Sequence, residues 1–237
     1  MDRWIFYKKN FEDFVEKKSN ILIISASSKE INVLKELGYY NFSITFHDSN
    51  EKEKLIELGF EENKNLFKAD IRNLPFENNA FDYVITNATI HHVDIPHKAV
   101  TEMYRISSKG TLIIESNDSI VMQLATKMKL AEEFEISSVE GNTGGLLDTG
   151  IPNYVYRWTE REVQKLLMAF DPKNINTIYF NYENDLTNFN FNNGLFKKVF
   201  LKILIFFSRM YFLVFKKQQN CMSIFIDKTR IRKRFET

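Results

Sequence analysis

The sequence predicts an α/β fold built around a mostly parallel sheet, and the segment Phe67–Ser116 gives the main evidence. Two short, apolar and β-branched runs lie in it, Tyr83–Thr86 and Thr111–Glu115, as is typical of strands that are buried on both faces. Between them, apolar residues recur at helical spacing, and Lys109 and Gly110 are predicted to end the helix. Such strand–helix–strand units form parallel sheets with right-handed crossovers.

Polar residues cluster where these two strands end. Asn87, His91 and His92 follow the first strand, while Glu115 ends the second strand and Asn117 follows it. In open parallel sheets, ligands bind beyond the carboxyl ends of the strands. We therefore expect the functional site at this edge of the sheet.

Length and composition narrow the function classes. A chain of 237 residues with 44% hydrophobic residues suits a single domain, 1–237, with an insertion or a cap. The net charge of +1 gives no overall positive field, so nucleic acid is not expected as a partner. The single cysteine, Cys221, excludes an intramolecular disulfide and a zinc site made of cysteines. The N-terminal stretch has no apolar core followed by small residues, so we predict no signal peptide and a cytoplasmic protein.

The chain begins with a predicted amphipathic helix over residues 2–18. Trp4, Tyr7, Phe11 and Phe14 fall on one face of this helix, with charged residues opposite. The pattern favours a helix that docks on the sheet, and a lid over the ligand pocket is the alternative.

The first half of the sheet is predicted from three further apolar runs, Ile21–Ile24, Phe42–Phe46 and Leu66–Ala69, separated by helical segments. Asp48 follows the second of these strands, about 20 residues beyond the loop that ends the first strand. An acidic residue at this place suits a ribose diol, because a carboxylate accepts both hydroxyl hydrogens. The alternative is an aspartate that stabilises a turn before Ser49.

The second half of the chain carries weaker signals. Ser119 or Asp118 is predicted to cap a helix from Ile120 to about Phe134. The segment Gly141–Gly150 holds four glycines and is predicted to be a mobile loop that lies where a lid over a second ligand would be. Thr159 and the glutamate three positions later predict the start of another helix through a capping box.

The last two strands are predicted at Ile175–Phe180 and Met222–Ile226. The apolar segment Phe196–Phe215 lies between them, but Lys202 and Arg209 interrupt it, so it falls short of the ~20 residues that a spanning helix needs. Two alternatives stay open: a cap or homodimer helix, or a helix that lies in a membrane interface.

The segment after the third strand carries a specific series of motifs. Asp70 opens the pattern D-x-x-x-L-P-F, Phe81 and Asp82 precede an apolar strand, and the pair His91 and His92 follows it. The next helix carries E-M-Y-R-I-x-x-K-G. These motifs resemble those of the class I S-adenosylmethionine-dependent methyltransferases, and the likeness covers roughly residues 18–117.

This resemblance implies a Rossmann-like sheet of seven strands, the last one antiparallel, with a helical cap on the acceptor side. It implies S-adenosylmethionine as the cofactor, a donor-binding core over 18–117, and cap segments over 118–160 and 185–218. The residues implied to bind the donor come from the strand-end loops: Ser25, Ala26, Ser27, Asp48, Ser49, Asp70, Ile71 and Asn87.

Asp70 is implied to accept a hydrogen bond from the adenine amino group, while Ile71 packs on the adenine ring. A turn-capping role for Asp70 is the alternative. The main chain at Asn87 is implied to contact the methionine part of the donor.

The loop after the first strand departs from the family pattern G-x-G-x-G. Ser25, Ser27 and Lys29 stand at the three glycine positions, and Ile23 replaces the acidic residue late in the strand. Glycine allows a positive φ at no steric cost, whereas a lysine there is strained. We therefore expect weakened donor binding or a reshaped pocket.

The implied reaction is methyl transfer to an oxygen or nitrogen of a small acceptor. His91 or His92 is predicted to act as a general base, because imidazole titrates near neutral pH; a structural role is the alternative. Adjacent histidines without a third ligand nearby do not form a tetrahedral zinc site, so no metal is predicted.

The phrase Ile151–Arg157 with the following WTEREV resembles a subgroup associated with bacterial surface-polysaccharide gene clusters. It implies a sugar, a nucleotide-sugar or another surface-glycan precursor as the acceptor. Tyr154, Tyr156 and Arg157 suit ring stacking and phosphate binding, and together with Asn117 they are the predicted acceptor residues. Ordinary packing before the next helix is the alternative for these residues.

Two other function classes stay open. A degenerate, non-catalytic relative would explain the altered loop after the first strand. A nucleotide-dependent oxidoreductase would need a glycine-rich loop there and a catalytic Tyr–Lys pair, neither of which the sequence offers.

Overall fold

The computed structural model describes residues 3–47, 49–141, 143–184 and 210–234. In this part of the chain, seven strands form one main sheet. Their bounds are β1 Ile21–Ile24, β2 Phe42–Phe46, β3 Leu66–Lys68, β4 Phe81–Asn87, β5 Ser107–Ser116, β6 Asn174–Glu183 and β7 Cys221–Lys233.

The strand order across the sheet is β6-β7-β5-β4-β1-β2-β3. Strands β1 to β5 pair in parallel, while β7 runs antiparallel to both of its neighbours, β5 and β6. The predicted α/β class, with seven strands and the last one antiparallel, is confirmed. The chain leaves β1 in one direction towards β3 and then returns to β4 on the other side, so β1 and β4 flank the switch point where such sheets bind ligands.

Six α-helices connect or cover the strands among the described residues: α1 Arg3–Phe14, α2 Ser28–Glu36, α3 Ser49–Glu57, α4 Pro96–Ile106, α5 Ile120–Lys127 and α6 Glu160–Phe170. The predicted caps are confirmed at two of them. The side chain of Ser119 accepts a hydrogen bond from the backbone of Met122, and that of Thr159 accepts one from the backbone of Glu162.

The core has two halves, one on each face of the sheet. Along β1, Ile21 and Ile23 belong to one half, and Leu22 and Ile24 belong to the other. All four side chains are buried. Burial on both faces explains why β1 is apolar at every position instead of alternating.

Helix α1 docks on the sheet, as the amphipathic pattern favoured. Phe6, Tyr7 and Phe11 are buried in the core. Phe14 stacks on Phe225 of β7, with ring centroids 4.5 Å apart. This docking fixes the helix so that its first turn reaches the carboxyl edge of the sheet.

The end of α4 differs from the prediction. The helix ends at Ile106, and Lys109 and Gly110 lie within β5 instead of closing the helix. The glycine has a packing reason, since a Cβ at Gly110 would lie 2.7 Å from the ring of Phe225 on the neighbouring strand. The signal for a helix end was therefore a signal for close packing between β5 and β7.

The segment 118–160 lies over the carboxyl edge of the sheet. Its helix α5 ends at Lys127, earlier than the predicted end near Phe134. Two short antiparallel strand pairs follow, 134–135 with 153–154 and 139–140 with 143–144. Most of the predicted cap segment 185–218, and with it most of Phe196–Phe215, lies outside the described residues.

No helix in the described ranges is both long enough and apolar enough to cross a membrane. The described end of the apolar segment, residues 210–215, contains a short helical turn. Four of its apolar side chains, Met210, Leu213, Val214 and Phe215, are exposed, while Phe212 is half-buried.

Candidate active site

A cavity of about 530 Å³ opens at the carboxyl edge of the sheet, at the switch point between β1 and β4. The loops after β1, β3 and β4 form one side of it, and the first turn of α1 and the cap loop 144–148 form the other. Several residues predicted to bind the donor line this cavity: Ser25, Ser27, Asp70, Ile71 and Asn87.

The loop after β1 lacks the glycines of the family pattern, but one of its residues still adopts a positive φ. Ser25 takes the positive φ, 53°, while Lys29 lies inside helix α2, so the strain falls on the serine and not on the lysine. Ala26 is buried in the core below the loop. Ser27 begins α2 through a capping box with Glu30, whose carboxylate accepts from the Ser27 backbone N–H at 2.9 Å.

Glu115, at the end of β5, holds the loop after β4. Its Oε1 accepts backbone hydrogen bonds from Thr89 and Ile90 at 2.9 and 2.8 Å. Its Oε2 lies 2.8 Å from Nδ1 of His91. The side chain of Glu115 has no exposed surface, so this one buried carboxylate fixes the loop that carries Asn87 and both histidines.

His91 is held between two carboxylates. Its Nδ1 faces Glu115, and its Nε2 lies 3.4 Å from Oε2 of Glu135 on the cap. Burial by itself would lower the pKa of His91, but the two carboxylates raise it to about 10. At neutral pH the ring is therefore an imidazolium that links the sheet to the cap, and it has no free nitrogen to accept a proton.

His92 has the opposite character. It lines the cavity, and its Nδ1 lies 3.4 Å from the backbone oxygen of Gly145 in the cap loop. Burial and the neighbouring charge of His91 lower the pKa of His92, so the ring is neutral at pH 7. The structure thus separates the two histidines that the sequence could only treat as a pair.

His91, His92 and Glu135 also bring ligand atoms within 4.8 Å of one another, a set of residue types that can hold a divalent cation. Glu135 is the third group that the spacing of the two histidines did not reveal. Both nitrogens of His91 face carboxylates, which fits an imidazolium, because both of its nitrogens are donors. That the chain uses no metal stays a prediction.

The other end of the cavity carries the residues implied for adenine and ribose. Asp70 and Ile71 line it, together with His47 and Glu51. The carboxylate of Asp70 accepts from the backbone N–H of Arg72 at 2.8 Å and pairs with its guanidinium, which lowers the pKa of Asp70. Both interpretations of Asp70 are therefore compatible with its place, since it caps a turn and faces the cavity.

Asp48, implied to bind the ribose, lies outside the described residues. Ser49 begins helix α3 directly after it. Glu51, two residues further along α3, lines the cavity and accepts a hydrogen bond from the backbone of His47 at 2.9 Å. The end of β2 therefore does reach the cavity where the ribose was expected.

The four predicted acceptor residues lie apart from the cavity walls that the structure describes. Asn117 is buried and donates both amide hydrogens to the backbone oxygens of Lys217 and Gln219, at 2.9 and 2.7 Å. Arg157 donates to the backbone oxygen of Glu132 at 2.6 Å. These contacts fix the chain around the cap, and that Asn117 and Arg157 bind the acceptor stays a prediction.

The two predicted acceptor tyrosines are also engaged elsewhere. Tyr154 packs edge-on against Phe134 at 5.6 Å and is half exposed. Tyr156 donates its hydroxyl hydrogen to Glu162 and packs against Trp158 in the core. The carboxylate of Glu162 therefore accepts a hydrogen bond from Tyr156 and does not complete the capping box with Thr159.

The glycine-rich segment predicted as a lid lies over the cavity. Gly144, Gly145, Leu147 and Asp148 line it from the cap side. Gly144 and Gly145 both have a positive φ, and a Cβ on either would lie 2.0 Å from a backbone oxygen. Only glycine fits these two positions, so the loop is a tightly folded turn rather than a loose connection.

Sequence reasoning missed several cavity residues. Arg3 and Trp4 come from the first turn of α1, Glu30 from the first turn of α2, and Glu135 reaches His91 from the cap. The alternative of a lid over the pocket was the only signal for Arg3 and Trp4. For Glu30 the sequence did contain a clear signal. A serine followed three residues later by a glutamate, as at Ser27 and Glu30, is a capping-box pattern that marks where α2 begins.

Comparison with known proteins identifies the fold and a methyltransferase domain within it. Residues 27–114 match the family model described as a methyltransferase domain. A S-adenosylmethionine-dependent methyltransferase from Thermotoga maritima superposes with a TM-score of 0.54 at 12% identity, over 95% of this chain and 89% of that protein. One from Archaeoglobus fulgidus gives a TM-score of 0.54 at 14% identity, over 95% and 94%. At such identities the two structures show the fold alone.

Curated relatives include the ubiquinone/menaquinone biosynthesis C-methyltransferase UbiE of Rickettsia bellii, from two strains. It is 34% identical over 99 residues, which cover 37% of this chain and 40% of the relative. The chain thus spans about 40% of the length of the curated relatives that it matches.

Residues 27–114 therefore match a methyltransferase domain, and the sheet order is that of the Rossmann-like methyltransferase fold, as the motifs predicted. Such domains take S-adenosylmethionine as their cofactor.

Proposed function

We propose that this protein transfers the methyl group of S-adenosylmethionine to an oxygen or nitrogen of a small acceptor. The observation that carries the proposal is the cavity at the switch point, because it brings together four predicted donor loops and a neutral histidine. The family match covers the same donor side of the cavity, since it ends at residue 114, before the cap begins.

The donor lies along the carboxyl edge of the sheet. Its adenine is placed near Asp70 and Ile71, its ribose near the end of β2, and its methionine part near Ser27 and Asn87. In this order the sulfonium would lie between the two ends of the cavity, beside His92 and the cap loop that line it. Asp48 and Ser49 remain the proposed ribose residues.

The chemical step is an in-line displacement. A lone pair of the acceptor atom attacks the methyl carbon while the bond from carbon to sulfur breaks, and S-adenosylhomocysteine leaves. The sulfonium already makes the methyl group electrophilic, so the protein mainly aligns the two reactants.

We assign the proton to His92. With Nδ1–H donating to the backbone oxygen of Gly145, Nε2 keeps a lone pair for the proton that the acceptor loses. Oε2 of Glu135 lies 3.8 Å from Nε2 and favours the imidazolium once it forms. His91, already charged and enclosed, acts as a support and not as the base.

The acceptor class is proposed from sequence likeness. The phrase Ile151–Arg157 favours a sugar, a nucleotide-sugar or another surface-glycan precursor. The relatives from Rickettsia bellii are named for C-methylation in ubiquinone and menaquinone biosynthesis. Because the match to them covers 37% of the chain, a quinone precursor is kept as the comparison compound in the test and not as a second proposal.

The test uses the purified full chain. Calorimetric titration with S-adenosylmethionine and S-adenosylhomocysteine is expected to give micromolar affinity, about −8 kcal/mol. Transfer of a labelled methyl group is then measured to a panel of sugars, nucleotide-sugars and quinone precursors. Absence of binding to a folded protein would favour the non-catalytic relative, and labelling of a quinone ring carbon alone would overturn the acceptor class.

We also propose that the exposed apolar residues Met210, Leu213, Val214 and Phe215 belong to an interaction surface. The sequence leaves open a cap or homodimer helix and a membrane-interface helix, and an exposed surface suits a second copy of the chain or a membrane. Light scattering of the pure protein tests for a second copy of the chain, and sedimentation with anionic phospholipid vesicles tests for membrane binding. A monomer that stays in the supernatant would contradict the proposal.

A further inference from the structure

The end of the cavity between α1 and α2 carries two opposite charges that the proposed chemical step does not use. Arg3 lies in the first turn of α1, and Glu30 lies in the first turn of α2; both line the cavity. Neither residue belongs to the motifs on which the family resemblance rests.

Asn87 connects the two charges. Nη2 of Arg3 donates to Oδ1 of Asn87 at 3.1 Å, and Nδ2 of Asn87 donates to Oε1 of Glu30 at 3.2 Å. The amide therefore holds a guanidinium on one side and a carboxylate on the other. The three residues come from α1, α2 and the end of β4, so tertiary folding alone brings them together.

Glu30 is a buried carboxylate, 4% exposed, with its two oxygens in different roles. Oε2 accepts from the backbone and the hydroxyl of Ser27, at 2.9 and 3.0 Å, and so belongs to the helix cap. Oε1 accepts from Asn87 and can accept a second hydrogen bond. Burial raises the pKa of Glu30, so a cation beside Oε1 would favour its charged form.

We propose that Arg3, Glu30 and Asn87, which we name the amino-acid clamp, bind the α-amino and α-carboxylate groups of S-adenosylmethionine. Arg3 pairs with the carboxylate, because the planar guanidinium matches its two oxygens. Oε1 of Glu30 and Oδ1 of Asn87 accept hydrogen bonds from the ammonium group. This inference rests on the proposed function, since it assigns one end of the same donor.

The clamp accounts for two of the departures from the family pattern in and after β1. Ile23 stands where the family has an acidic residue, and Glu30 supplies a carboxylate from the next helix instead. Lys29 stands at the third glycine position, and its ammonium lies 4.6 Å from the ring centroid of Trp4. This contact ties the first turn of α1, and with it Arg3, to the first turn of α2.

The clamp predicts a specific selectivity. Ligands that keep the adenosine and sulfur of the donor but lack its amino-acid end, such as 5′-methylthioadenosine, lose both charge-assisted contacts. S-adenosylhomocysteine keeps them. The difference between the two affinities therefore reports the clamp, while the affinity for 5′-methylthioadenosine reports the rest of the donor site.

The experiment is calorimetric titration of four proteins with both ligands: wild type, Arg3→Leu, Arg3→Lys and the control Lys9→Leu, which removes an exposed charge from the same helix. Arg3→Leu is expected to weaken S-adenosylhomocysteine binding by about tenfold or more and to change 5′-methylthioadenosine binding by less than about twofold. The affinity of Arg3→Lys for S-adenosylhomocysteine is expected to lie between those of wild type and Arg3→Leu, because lysine keeps the charge but lacks the planar guanidinium. Lys9→Leu is expected to match wild type for both ligands.

Glu30→Gln gives a second test, because glutamine keeps the capping-box geometry and removes the charge. It is expected to lower the affinity for S-adenosylhomocysteine and to spare 5′-methylthioadenosine. Equal losses for both ligands in Arg3→Leu, or an unchanged ratio, would overturn the clamp while leaving the donor site in place. If neither ligand binds folded wild-type protein, the proposed function falls and the clamp falls with it.

Discussion

The cavity lies between two regions that are held by different interactions, the strand-end loops of the sheet and the cap segment 118–160. On the sheet side, Glu115 alone accepts hydrogen bonds from two backbone groups and from His91, all in a fully buried position. On the cap side, helix α5 has no buried residue, and Ile120, Leu124 and Met128 are exposed.

The middle of the cap, residues 134–148, reaches the sheet edge through polar contacts, while Trp158 near the end of the cap is buried in the core. Glu135 approaches Nε2 of His91 at 3.4 Å, and the backbone of Gly145 approaches His92. Arg157 and the glycine turns keep the cap folded on itself. The sheet edge is thus held by a fully buried carboxylate, while the middle of the cap is linked to it through the side chains of His91 and His92.

This difference agrees with the division of roles in the proposed function. A donor shared by a whole family suits a rigid sheet edge, and the family match lies there. An acceptor particular to one protein suits a cap that the match does not include. Each of the following changes is directed at one of the two regions.

The largest effect is expected on the sheet side, from Glu115→Ala. It would leave two backbone N–H groups without their acceptor and His91 without its buried partner, and should lower the free energy of unfolding by about 3–5 kcal/mol. Denaturant unfolding monitored by circular dichroism measures it. The matched control is Glu61→Ala, whose exposed pair with Lys64 should change stability by less than about 1 kcal/mol. Equal effects would mean that Glu115 does not fix the loop.

The second change tests through kcat whether His92 is the general base. His92→Gln should lower kcat by about 10²- to 10⁴-fold while donor affinity stays the same, because only proton transfer is lost. The control His97→Gln alters a histidine that pairs with Glu162 outside the cavity. In wild type, kcat should rise with pH through a midpoint below 6.5, since burial lowers the pKa of His92 and the base acts when neutral. Full activity in His92→Gln would leave alignment as the whole of catalysis.

A smaller effect is expected where the cap meets the sheet, from Glu135→Gln. Burial opposes the charge of His91, but its carboxylate partners raise its pKa to about 10; hydrogen bonding to His91 lowers that of Glu135 to about 2. The raised pKa of His91 stabilises the folded state at pH values below about 6.5, the pKa of an unfolded histidine. The lowered pKa of Glu135 stabilises the folded state at pH values above about 4.5, the pKa of an unfolded glutamate. The stability difference between wild type and the variant should therefore be greatest between about pH 4.5 and 6.5, and shrink towards pH 10 and pH 2. A difference independent of pH would contradict the ion pair.

The smallest effect is expected from Ser25→Gly, which relieves the positive φ in the loop after β1. Glycine removes the strain and also loosens the unfolded chain, so the net gain in stability should be below about 1 kcal/mol. Donor affinity should be unchanged or slightly stronger. Clearly weaker donor binding would show that the serine side chain itself contacts the ligand.

The sequence predicted the sheet well, because local physics determines it. The runs Ile21–Ile24 and Phe42–Phe46 are strands with those bounds, since apolar β-branched residues buried on both faces leave little choice. The end of α4 was less predictable, because Gly110 serves the ring of Phe225 more than a hundred residues away in the chain.

The residues of the candidate site also differ in how far the sequence predicted their position. Ser27, Asp70 and Asn87 lie at or within three residues of strand ends, so the fold class already placed them at the cavity. Arg3 and Glu30 reach it through helix docking, and Glu135 reaches His91 through cap folding; of the three, only Glu30 had a local signal, its capping box with Ser27. Tyr154, Tyr156 and Arg157 look like ligand residues in sequence, yet they pack against Phe134, Trp158 and the backbone of the cap.

The central claim is that the donor lies at the switch point with its sulfur facing His92. A crystal structure of the full chain with S-adenosylhomocysteine tests it directly. The account predicts adenine beside Ile71, the amino-acid end between Arg3 and Glu30, and the sulfur turned towards His92 and the cap loop. A ligand bound elsewhere, or one with its amino-acid end at Asp70, would contradict it.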